Sequence, residues 1–226
     1  MTIIQANLRS VLAGLRAVET SPVTLVAVSK TKSPSDVLEA YNAGQRRFGE
    51  NYVAEICEKA PKLPSDIEWH FIGHLQSNKV HKLITGCPNL FMIETIDSEK
   101  LASKVNSAME AAHGGRSALL RVLIEVRTSL EATKTGVNPQ DALGLMVYIK
   151  EKCARLIFAG LMTMADPLDA EASFRQLSEL ASELKARGHA IETVSMGMSG
   201  DYELAVRNGS TEVRIGSKIF GERTNL

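Results

Sequence analysis

The stretch TLVAVSKTK, residues 24–32, decides how the rest of the chain is read. Its apolar, β-branched residues read as a buried strand that stops on Lys30 and turns at Ser33-Pro34. An amine at the end of a buried strand is a place to hold a carbonyl compound. Desolvation lowers a lysine pKa and leaves part of the amine neutral and nucleophilic. A surface lysine that merely caps a strand has the same local sequence, so the remainder of the chain must decide between the two.

Outward from this stretch, β-branched runs alternate with segments of helical periodicity. Strands are expected at 24–29, 46–49, 68–72, 90–93, 119–126, 155–160, 191–195 and 212–215, with helices at 34–43, 52–60, 77–83, 98–112, 139–151, 169–187 and 201–208. Pro34 and Pro139 suit first helical turns, and Gly44, Gly114 and Gly188 suit helix exits. Eight βα units predict the α/β class and a closed (β/α)₈ TIM barrel, since open doubly wound sheets usually have fewer strands. Ile4, Leu8, Val11, Leu12 and Leu15 recur at helical spacing and add an amphipathic N-terminal helix. With no linker-like tract in view, residues 1–226 are read as a single domain.

Bulk properties narrow the function. Lys plus Arg equals Asp plus Glu at 26 each, so total charge favours neither nucleic acid nor an anionic membrane as partner. Cys57, Cys87 and Cys153 are odd in number and without CxxC spacing, which points to a reducing, cytoplasmic setting and away from a disulfide framework or zinc site. No apolar run is long enough to span a bilayer. Arg9 and Arg16 without an acid in the first eighteen residues resemble a transit peptide, but the helical stripe favours a packed helix.

Barrel active sites lie at the carboxyl ends of the strands. Polar and glycine residues gather there: Lys30, Glu50-Asn51, Gly73-His74, Glu94-Thr95, then SMGMSGD at 195–201 and VRIGSKIFG at 213–221. The last two are strands running into Gly/Ser turns that open helices, an arrangement that offers N–H groups and hydroxyls to a phosphate. They follow strands seven and eight, where barrel phosphate sites are often built. Arg214, two residues before Gly216, points into the same mouth. There it would donate to the ring nitrogen of a pyridoxal and, staying protonated itself, keep that nitrogen an acceptor and the ring a poor electron sink. Glu50 is placed to pair with Lys30 or His74. His70, His74 and His81 fall close in sequence without an acid set beside them, so no metal site is read.

AVSKTK (27–32), RRFGENYV (46–53), WHFIGHLQSNK (69–79), GLMTM (160–164), SMGMSGD and VRIGSKIFG together resemble the pyridoxal phosphate homeostasis protein family, single-domain relatives of the alanine racemase N-terminal barrel. The resemblance implies pyridoxal 5'-phosphate held as a Schiff base on Lys30. It further implies Ser199, Gly200, Gly216 and Ser217 as the phosphate cradle, Arg214 facing the pyridine nitrogen, Asn51 near the cofactor, and Met196 and Met198 bordering the ring. The implied partners are the cofactor and, transiently, apo-enzymes that use it, the chain being a monomer or weak dimer. After strand five the family usually reads an asparagine and a glycine-containing loop. Here VRTSLEATKTGV (126–137) has Arg127 and Leu130 at those places while Lys134 and Gly136 keep the end of the motif.

The implied role is vitamin B6 homeostasis and carriage without robust catalysis; the alternative is a pyridoxal-dependent amino-acid racemase. Racemisation needs an acid/base group on each face of the substrate. Tyr41, Tyr52, Tyr148 and Tyr202 all fall in expected helices, and no segment is read as a second domain to supply the other group. A phosphosugar-binding barrel enzyme ranks last, since it gives Lys30 only a sugar carbonyl as partner.

Overall fold

The computed structural model describes residues 1–113, 118–129, 135–166 and 168–222. Eight parallel strands close on themselves in sequence order: β1 (Thr24–Val28), β2 (Arg47–Glu50), β3 (Glu68–Phe71), β4 (Leu90–Ile96), β5 (Leu120–Glu125), β6 (Leu156–Met162), β7 (Thr193–Ser195) and β8 (Glu212–Ile215). Around them run α1 (Ile3–Val18), α2 (Pro34–Asn42), α3 (Val53–Lys59), α4 (Val80–Gly86), α5 (Glu99–His113), α6 (Ala142–Lys152), α7 (Ala170–Ala186), α8 (Tyr202–Arg207) and the one-turn α9 (Ser217–Phe220). The barrel and its additional N-terminal helix are those expected from the sequence.

Local chemistry sets several starts. Ser33 caps α2 in a capping box with Asp36, with Pro34 in the first turn, and Thr2 with Gln5 does the same for α1. The apolar stripe of α1 buries Leu8, Val11 and Leu15, and Asn7 Nδ2 donates to the carbonyl of Ile219 at 3.1 Å, tying α1 to α9. β4 runs on to Ile96, past the expected end at 93, so Glu94 and Thr95 lie inside the strand and are buried rather than in a loop.

Closure pairs β1 with β8, Val26 opposite Arg214 and Ala27 opposite Ile215. That register brings the residues that follow the two strands, Lys30 and Gly216-Ser217, to neighbouring places on the carboxyl rim. Alternation along each strand divides two cores. Phe48, Trp69 and Phe71 pack outward under the helices, whereas Met92, Leu123, Ala159 and Met162 form a small apolar layer of their own. Above that layer the barrel interior is polar.

Candidate functional site at the barrel mouth

Eight of the nine residues singled out from the sequence converge on one cavity of ≈ 240 Å³. Lys30 and Asn51 stand on one side; Ser199, Gly200, Gly216 and Ser217 on another; Arg214 and Met198 complete the group. Lys32, Met164, Val28 and Ile72 also line it and escaped the sequence reading, although Lys32 repeats the signal of Lys30 two residues on. Its Nζ donates to the carbonyl of Glu222 at 2.9 Å. Met196 does not border the cavity: it is fully buried in the outer core, and Met164 takes that place. Met196 directly follows β7 and packs in the outer core, whereas Ser195, the last residue of the strand, faces the interior and bonds Glu94 and Arg214.

Lys30 is half-buried and sits between two fixed residues. Thr31 adopts φ 65°, a left-handed conformation that costs a non-glycine residue about 1–3 kcal/mol. Its N–H donates to Glu55 Oε2 at 2.8 Å, and Lys59 Nζ reaches Glu55 Oε2 and Glu50 Oε1 at 2.8 Å each and the carbonyl of Ser29 at 2.9 Å. Ser29 Oγ donates to Glu50 Oε1 at 2.6 Å. Glu50 therefore pairs with Lys59 rather than with Lys30 or His74, because its side chain turns out of the barrel toward α3, which carries Lys59. Burial raises the Glu50 pKa against the pull of Lys59 and Ser29. His74 lies instead 3.8 Å from Asp97.

The two Ser/Gly loops meet where the Gly216 N–H donates to Ser199 Oγ at 3.3 Å. Gly216 suits a tight space, since a Cβ there would lie 3.1 Å from the Val28 carbonyl oxygen. Gly197 is required by conformation: its φ is 97°, and a Cβ would come 2.5 Å from Ala205 Cβ. Asp201 Oδ1 fixes the first loop by accepting from the Met198 N–H at 2.6 Å. Because α8 and α9 are short, the hydroxyls and N–H groups, rather than helix dipoles, make this wall attractive to an anion.

Arg214 is 3 % exposed. Nη1 donates to Ser195 Oγ at 2.6 Å and Nη2 to the Thr163 carbonyl at 2.8 Å, with Met164 Sδ at 3.4 Å. Ser195 Oγ donates in turn to Glu94 Oε2 at 2.7 Å, and Glu94 Oε1 meets His70 Nδ1 at 2.7 Å. Glu212 Oε2 lies 3.9 Å from the same ring nitrogen. His70 thus has acids beside it after all. Glu94 comes from β4, the strand paired with β3, and Glu212 from β8, which reaches β3 only across the closed barrel. Ligand atoms of His70, Glu94 and Glu212 lie within 4.8 Å of one another, a spacing compatible with a metal ion. The cluster already holds its own cations, however, with Arg214 Nη1 3.9 Å from Glu94 Oε2 and the imidazole on the other oxygen.

Burial opposes every charge in this dry cluster, and neighbours decide which survive. Burial works against the imidazolium of His70, but Glu212 and Glu94 outweigh it and raise the pKa. Glu94 is pushed up by burial and more strongly down by His70, Arg214 and Ser195, so it stays ionised. Glu212, buried beside that carboxylate, is pushed up to about 7. Under the same burial the two acids thus move in opposite directions, Glu94 down beside its cations and Glu212 up beside the Glu94 carboxylate.

In the loop after β5, Val126 bridges to Val137, and Arg127 Nη2 donates to Asn138 Oδ1. Leu130 and Lys134 lie outside the described residues.

A parallel eight-stranded barrel with a lysine after its first strand and Ser/Gly loops after its last two is the class to which the alanine racemase N-terminal domain belongs, and the model of that family matches residues 3–224. The human pyridoxal phosphate homeostasis protein is 47% identical over 214 residues, covering 88% of this chain and 76% of the relative. The protein of the same name from Vibrio cholerae is 40% identical over 240 residues, covering 99% and 98%. The chain belongs to the pyridoxal phosphate homeostasis protein family. The solved structure of PipY from Synechococcus elongatus PCC7942 with PLP bound superposes with a TM-score of 0.80 at 32% identity, covering 96% of this chain and 100% of that one.

Proposed function

We propose that this chain holds pyridoxal 5'-phosphate on Lys30 and serves intracellular vitamin B6 homeostasis as a reversible carrier, not as an enzyme. The observation that carries the proposal is the cavity itself, which sets the lysines Lys30 and Lys32, two Ser/Gly loops and a buried guanidinium around a space suited to a single substituted ring. The residues fit the group. Asn51 leaves a buried amide oxygen without a partner, and Gly216 keeps the loop beside Val28 free of any side chain. Pyridoxal phosphate supplies an aldehyde, which condenses with a primary amine with loss of water. Lys30 provides that amine, held in place by Thr31 and the Glu55–Lys59–Glu50 bonds. Ser199, Gly200, Gly216 and Ser217 take the phosphate. Arg214 has five N–H donors and commits three contacts to the protein, leaving donors for the pyridine nitrogen.

Support for a carrier over a racemase comes from the tyrosines, none of which lines this cavity. Tyr41 donates to Asp66, Tyr52 opens on a neighbouring hollow, Tyr148 packs against the outer core and Tyr202 donates to Glu203. On this reading the chain is a monomer or weak dimer that meets apo-enzymes transiently, with residues 1–226 acting as one domain. The three free cysteines suit the cytoplasm. Among the described residues no helix is long and apolar enough to cross a membrane. The test is to mix loaded protein with a pyridoxal-dependent apo-enzyme and, separately, with single-enantiomer amino acids. Recovery of the apo-enzyme's activity with optical purity retained is expected; racemisation at an enzyme's rate, or no transfer, would contradict the carrier.

A further inference from the structure

We propose that Glu94 is the positioning residue for Arg214, holding the guanidinium through Ser195 in the one orientation that presents its free donors to the cavity. This rests on reading the cavity as a pyridoxal phosphate site. A guanidinium at the edge of an open pocket ordinarily swings into solvent, yet Arg214 lies 3 % exposed across the barrel. A carbonyl, a thioether and a hydroxyl are neutral acceptors and do not balance its charge. The carboxylate that does is Glu94, at 3.9 Å from Nη1 and joined to it through the 2.6 Å and 2.7 Å bonds of Ser195. Glu94 is itself fixed from the far side by His70 at 2.7 Å, so it cannot rotate away to meet Arg214 directly.

The charged or titratable groups around the guanidinium come from four strands: Glu94 on β4, Glu212 on β8, Glu125 on β5 and, behind Glu94, His70 on β3. Of these, Glu94 alone is bonded to the hydroxyl that Arg214 holds. In Glu94→Gln the side chain keeps its length and loses its charge, and Arg214 is left with neutral acceptors only. The ring-nitrogen end of the cavity then loses its fixed donor, and that nitrogen becomes free to take a proton.

The experiment follows absorption and fluorescence of the pyridoxal phosphate-loaded protein from pH 5 to 9 in wild type, Glu94→Gln, Glu94→Asp, Ser195→Ala, Arg214→Gln and the Glu94→Gln/Arg214→Gln double variant. Glu94→Gln is expected to shift the spectral pH profile in the direction that Arg214→Gln does and to release cofactor roughly tenfold faster, the scale of a lost charged hydrogen bond. Glu94→Asp restores part of the shift, and the double variant adds nothing to Arg214→Gln alone. A folded Glu94→Gln with the wild-type profile, or additive shifts in the double variant, would overturn the proposal. If Glu94→Gln does not fold, a wild-type profile in Ser195→Ala beside an altered one in Arg214→Gln overturns it equally. A second readout needs no cofactor: the Arg214 side-chain N–H resonances should exchange slowly in wild type and lose that protection in Glu94→Gln and Ser195→Ala. A wild-type protein that forms no cofactor band while showing this protection sinks the cofactor reading and leaves the role of Glu94 standing.

Discussion

Thr31 is the only non-glycine residue with positive φ among the described residues, and it follows the proposed anchor lysine directly. Strain there persists only because Glu55, Lys59 and Glu50 over-determine the turn, and Lys59 is the centre of that set, 5 % exposed. Lys59→Met leaves the Glu50 carboxylate buried without its cation and is expected to cost about 3–5 kcal/mol in urea unfolding. Gly197→Ala forces a side chain into φ 97° and against Ala205, and should lower stability by about 1–3 kcal/mol while slowing cofactor loading. Single residues of this kind were unequally legible. Lys30, the Ser/Gly loops and Arg214 announce themselves because each breaks an apolar strand at its carboxyl end. Lys59 reads as an ordinary helix-surface lysine, and nothing local shows that α3 turns it inward beneath Ser29.

At the scale of the strand, β8 reads Glu-Val-Arg-Ile, with two charged residues on the face that points into the barrel. Glu212 has its pKa raised from 4.5 to about 7, so between those values the folded chain holds a proton that the unfolded chain has lost. Stability from this group therefore falls as pH rises from 4.5 to about 7 and is level beyond. His70 acts in the same sense, its contribution full below 6.5 and lost as pH passes its raised folded value. Glu94 acts oppositely, full above 4.5 and lost as pH falls through its lowered value. Thermal melting of cofactor-free protein should thus peak on the mildly acid side and decline through neutrality, and Glu212→Gln should flatten the decline. An unaltered slope in that variant would assign it elsewhere. The charged residues of β3, β4 and β8 are visible in the sequence as single interruptions of apolar strands. Which of them meet is not visible, because contacts across a closed barrel join residues from opposite ends of the chain.

At the scale of the whole molecule, the eightfold βα alternation gave away the barrel, since each element is short, regularly spaced and separately patterned. The exact register that sets Val26 beside Arg214 required the three-dimensional closure. Helix α1 sits against α9, the segment that opens on Ser217 after the loop proposed to take the phosphate, so it braces the cavity from outside. Leu8, fully buried beneath it, should cost about 2–5 kcal/mol when changed to Ala, with cofactor affinity weakened as well as stability. The central claim is that the barrel is assembled around one reactive amine. Two lysines, Lys30 and Lys32, line the cavity, so the direct test is to load the protein with pyridoxal phosphate, fix the linkage by borohydride reduction, and locate the pyridoxyl group by peptide mass spectrometry. The group is expected on Lys30, with Lys30→Ala unlabelled; label on Lys32 or on a lysine outside the cavity, or label retained in Lys30→Ala, would contradict the account.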